Sequence, residues 1–79
     1  MDKELTRYYE ELLDLFTREG WKSFIEDTKD SVDLLSDITT ISDEKQFWYR
    51  RGQLEMANRI LSFEQSIKDS YEDFERDYE

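Results

Sequence analysis

Seventy-nine residues with 21 Asp and Glu against 11 Lys and Arg carry a formal net charge of −10, and 15% of the chain is aromatic. With no Cys and no His, the chain lacks disulfides, thiolate metal sites and the commonest general base and metal ligand. Its length bounds it to one domain with a small core. The acidic balance repels nucleic acid phosphates and anionic lipid, so neither direct nucleic acid binding nor membrane binding is expected. No run approaches the roughly 18 apolar residues of a membrane span. The charged, amphipathic start MDKELTRYYEELL is unlike a signal peptide, and a cytoplasmic chain is expected.

The first predicted helix covers residues 2–18. Leu5, Tyr8, Tyr9, Leu12, Leu13 and Phe16 recur at helical spacing, and Asp2 and Glu4 sit where the helix dipole favours acid. Gly20, following Arg18 and Glu19, reads as a stop or a bend. The second helix covers residues 21–38. Trp21, Phe24, Ile25, Thr28, Val32, Leu35 and Ile38 line one side, opposite Glu26, Asp27, Asp30 and Asp33. Thr39, Thr40, Ile41 and Ser42 end it, since their hydroxyls and β-branches compete with helical hydrogen bonds.

Ser42 is the expected N-cap of the third helix, with Thr40 as the alternative. That helix, residues 45–78, is the longest element, about 50 Å at ~1.5 Å per residue. Phe47, Leu54, Ala57, Ile60, Leu61, Phe63, Ile67, Tyr71, Phe74 and Tyr78 form its apolar stripe. Gly52 interrupts it at a cost of about 1 kcal/mol relative to Ala, which points to a closely crossing helix as the reason for Gly.

The fold class is all-α. The expected architecture is a long antiparallel helical hairpin with its first arm bent near Gly20; a three-helix bundle is the alternative. Antiparallel pairing about Thr40 sets Trp21 near Ile60, Phe16 near Phe63 and Ile67, Tyr8 near Phe74, and Leu35 near Phe47. It leaves a flank of the third helix around Trp48, Met56 and Phe63 partly uncovered, and exposed apolar stripes mark a partner or self-association.

The sequence offers no chemistry for an enzyme. Ser and Thr have no His to activate them, the two glycines make no phosphate loop, and the carboxylates do not follow calcium-loop spacing. No cofactor and no metal site are expected; the tail Glu72, Asp73, Glu75, Asp77 and Glu79 reads as solvated acid. One basic island, Lys45, Arg50 and Arg51, is interleaved with Phe47, Trp48 and Tyr49. Arg50 or Arg51 is expected to pair with Asp27, Asp30, Asp33 or Asp37. Trp48, Tyr49 and Arg51 are residue types enriched at protein–protein hot spots. With Met56, Phe63 and Tyr71 they form the expected partner-binding set, and a homodimer is the expected assembly.

The segment 47–75 resembles small acidic helical accessory proteins of tailed bacteriophages. The likeness rests on Tyr49, Arg51, Gly52, Gln53 and Leu54, an aromatic, a basic residue, Gly and Gln opening an amphipathic helix. It implies a helical accessory protein of viral origin, in the host cytoplasm or the virion, and transfers no catalytic residue. The expected function is a non-enzymatic interaction or structural protein. The alternative is an acidic nucleic-acid mimic that inhibits a host nuclease or polymerase, which would need its carboxylates in rows on one face.

Overall fold

The computed structural model describes residues 2–77; Tyr78 and Glu79, expected in the apolar stripe and the acidic tail, lie outside them. It contains α1 (Lys3–Leu15), α2 (Glu19–Leu35), a 3-10 turn (Ile38–Thr40) and α3 (Glu44–Asp77), with no strand among the described residues. The chain is all-α. It forms a rod of 54 × 25 × 16 Å, in which α1 and α2 both pack on α3 and far less on each other.

Each helix start follows from its sequence. Asp2, extended, caps α1: its Oδ1 accepts the N–H groups of Glu4 and Leu5 at 3.0 and 3.1 Å. For α3 the N-cap is Asp43 rather than Ser42. Asp43 Oδ1 accepts the Gln46 N–H at 2.8 Å, and Gln46 Oε1 reaches back to the N–H and hydroxyl of Ser42 at 3.1 and 2.9 Å. This is a capping box whose return bond lands one residue early. Asp37 caps the 3-10 turn through the N–H and hydroxyl of Thr39, so α2 ends at Leu35, three residues before the expected Ile38.

The break between α1 and α2 falls at Phe16–Arg18, not at Gly20. Gly20 is the second residue of α2 and no glycine has a positive φ, so it is not a helix stop. The break has a packing cause. On a continuous helix, Phe16 and Trp21 would lie about 140° apart. With Arg18 extended and the Thr17 hydroxyl donating to the Asp14 carbonyl at 2.7 Å, both rings reach Phe63.

The core is thin. Phe16, Ala57, Ile67 and Phe74 are buried, together with Thr28, whose hydroxyl donates to the Phe24 carbonyl at 2.8 Å. Phe16 packs on Trp21 (centroids 5.1 Å apart) and edge-on to Phe63 (5.8 Å). Tyr9, not Tyr8, meets Phe74 (5.4 Å) and Tyr71 (5.5 Å). Tyr9 lies seven residues before buried Phe16 and so shares its face, whereas Tyr8 is turned away and 50% exposed.

Gly52 does not face a crossing helix of its own chain. A Cβ there would meet nothing within 4 Å. The expected close approach is absent among the described residues.

Candidate interaction surface

The ion pairs are local in sequence. Arg7–Glu11, Arg18–Asp14, Lys22–Glu19, Lys29–Glu26, Arg51–Glu55, Lys68–Glu64 and Arg76–Asp73 are all three or four residues apart and solvent-exposed. Such pairs contribute little, about 0.3–0.5 kcal/mol each. Two polar links do join elements. Trp21 Nε1 donates to Glu64 Oε1 at 3.0 Å, while Lys68 Nζ holds Glu64 Oε2 at 2.7 Å. The Lys68 and Trp21 bonds hold the Glu64 carboxyl below its usual pKa. Arg50 donates to the Asp37 carbonyl at 3.2 Å and to the Thr40 hydroxyl, clamping the 3-10 turn onto α3.

The expected pairing of the basic island with α2 carboxylates is therefore corrected. Arg50 meets the Asp37 main chain, and the Asp37 carboxyl is occupied by Thr39. Those Thr39 bonds, with Arg50 nearby, hold Asp37 below the usual carboxylate range. Arg51 turns to Glu55 and lies over the Trp48 ring, 5.4 Å from its centroid.

The six residues of the expected partner-binding set fall into separate places. Trp48 (54% exposed) and Arg51 form one stacked pair, and Arg51 also lines an apolar hollow of about 140 Å³ with Leu35, Phe47 and Leu54. Tyr49 (72%) and Met56 (55%) stand out from α3. Phe63 is half-buried between Phe16 and Trp21, so Phe63 is no clean surface residue. Tyr71 belongs to the cluster with Tyr9 and Phe74, and its hydrogen bond to Glu75 pushes its phenol up.

A groove of about 240 Å³ runs between α2 and α3, lined by Trp21, Phe24, Arg59, Ile60 and Phe63. Phe24, on its α2 wall, is 47% exposed. No family model, curated protein or solved structure matches the chain. The surface therefore has to be read from its own chemistry. Among the described residues there is no cluster of carboxylates able to hold a metal ion and no helix long and apolar enough to cross a membrane.

Phe24, expected on the apolar side of the second helix, stays 47% exposed on the groove wall, whereas the sequence did not single out Leu34 or Arg59. Leu34 is 74% exposed, and Ile38, expected at the end of the α2 stripe, falls in the 3-10 turn and stands 75% exposed at the rim of the hollow lined by Leu35 and Phe47. Leu34 was legible in principle as an apolar residue displaced from the Trp21, Phe24, Thr28 and Leu35 stripe.

Proposed function

We propose that this protein is a non-enzymatic helical accessory protein that works by protein–protein contact, its resemblance over residues 47–75 pointing to a bacteriophage origin. The observation that carries this reading is the exposure of Trp48, Tyr49 and Met56 along a helix whose opposite side is already covered. On a monomer with so thin a core, large apolar side chains left in water are a standing cost that a partner removes. Aromatic residues and Arg carry most binding energy in such surfaces, and Arg51 over Trp48 is preorganised for it. The charge-mimic alternative gains nothing from the ion pairs. Glu11, Asp14, Glu19, Glu26, Glu55, Glu64 and Asp73 are each paired with a cation three or four residues away, which interrupts any phosphate-like row.

The test is affinity capture from cells expressing the wild-type chain and a Trp48→Ala, Tyr49→Ala, Met56→Ala variant whose helicity is checked by circular dichroism. Wild type should hold a stoichiometric partner, a second copy included, that the folded variant loses. Equal capture by both, or no partner for either, overturns the reading.

A further inference from the structure

Along α3, Lys45, Tyr49, Gly52, Met56, Arg59, Phe63, Ser66 and Ser70 recur at alternating steps of four and three, the spacing of a coiled-coil seam. All but the half-buried Phe63 are exposed. This seam holds two cations and no carboxylate, on a chain of net charge −10. Arg59 is the arginine that makes no ion pair or side-chain hydrogen bond among the described residues. Its obvious local partner, Glu55, one turn earlier, bonds Arg51 instead. Gly52 carries a helix-interior cost with no crossing helix in its own chain to account for it.

From these features we infer that the occupant of the seam is a second copy of this chain, crossing antiparallel at Met56. This rests on the interaction reading above and specifies its partner and face. Two copies of like charge approach where carboxylates are absent, and this row is such a place. The row is also self-complementary under a two-fold axis. With Met56 on Met56 of the other copy, Tyr49 of one copy opposes Phe63 of the other. Arg59 is the seam residue nearest Gly52, one residue off direct opposition, so the long side chain fills the space above the glycine and its guanidinium reaches towards the Tyr49 ring of the other copy. Large meets small and aromatic meets aromatic at both ends. The paired stretch from Tyr49 to Phe63, about four helical turns, is short of the ~800 Å² per partner of a stable complex. The dimer therefore forms with concentration, and salt strengthens it by screening the two acidic chains.

The experiment combines sedimentation equilibrium with disulfide trapping, which the absence of native Cys makes clean. The wild-type mass should rise from 9.7 kDa towards twice that with concentration, and further with salt. Met56→Cys should cross-link on oxidation, whereas Glu26→Cys, exposed on α2, should not. Gly52→Leu should stay monomeric at concentrations where wild type is dimeric while keeping its helical spectrum, and Arg59→Glu, which puts carboxylates into the seam, should do the same. A wild-type chain that is monomeric throughout, a dimer trapped no better by Met56→Cys than by Glu26→Cys, or a dimer indifferent to both Gly52→Leu and Arg59→Glu overturns the inference. If the wild type is monomeric but still captures another protein through Trp48, Tyr49 and Met56, only the second-copy seam falls and the interaction reading stands.

Discussion

The two ends of the rod treat the same kinds of residue in opposite ways. At the end where the termini lie, Tyr9, Tyr71 and Phe74 stack on one another, with Ile67 buried close by along α3. At the turn end, Phe47, Trp48 and Tyr49 stand 44–72% exposed, and Leu34 and Ile38 more so. Both ends are aromatic-rich and both use α3 as their backing. The difference lies in what covers them: α1 lays Tyr9 across the terminal cluster, while α2 stops at Leu35 and brings only that side chain to the hollow beside Phe47. Burial marks the part of the molecule that holds the fold, and exposure marks the part free for other work.

The largest test of that division is Phe16→Ala against Tyr49→Ala. Phe16, buried between Trp21 and Phe63, should cost about 3 kcal/mol or more on truncation. Tyr49→Ala should stay within about 0.5 kcal/mol. Urea unfolding of both reads the difference; comparable losses would erase the distinction between the ends. Next in size is the cap of α3. Asp43→Ala should destabilise by about 1 kcal/mol, and Ser42→Ala, which removes a hydroxyl from the return bond alone, by less; the reverse order in thermal melts would reinstate Ser42 as the cap.

Gly52→Ala comes third, and its sign is the informative part. The added Cβ meets open space, so at dilutions where the chain is monomeric the melting temperature should rise, by up to about 1 kcal/mol of stability. A fall would mean that something in the single chain packs there after all.

The smallest effect concerns Glu64, which bridges α2 and α3 through Trp21. Its folded pKa is depressed by Lys68 and Trp21, so its contribution is present above the ordinary value of 4.5 and is lost as pH falls through the lower folded one. Between pH 5 and pH 3, wild type should lose more stability than Glu64→Gln does. Parallel losses would show that the Trp21 link carries no charge-dependent weight.

Much of the fold was legible because helical periodicity is a strong local signal. The three helices follow from it, as do the meetings of Phe16 with Phe63 and of Leu35 with Phe47 around one hollow. What was not legible depended on three-dimensional competition. Gly20 looks like a stop, yet the break is decided by the need of Phe16 and Trp21 to reach one ring. Ser42 and Asp43 are both good caps, and the choice turns on where Gln46 can reach back. Tyr8 and Tyr9 are adjacent, and only the phase set by Phe16 separates them. At the candidate surface, Trp48, Tyr49 and Met56 could be named because they fall off the main stripe. Arg59 could not, because its lack of a partner depends on Glu55 choosing Arg51.

The turn at Ile38–Thr40 also has a kinetic consequence. Contacts in this chain are nested around it: Leu35 and Phe47 are close in sequence, whereas Tyr9 and Phe74 are joined only through almost the whole chain. Loop-closure entropy grows with the length enclosed. The chain is therefore expected to close like a zip from the turn, with the cluster of Tyr9, Tyr71 and Phe74 the last to engage and the first to let go. Leu35→Ala should slow refolding in stopped-flow chevrons, while Tyr9→Ala should leave the refolding arm in place and speed unfolding.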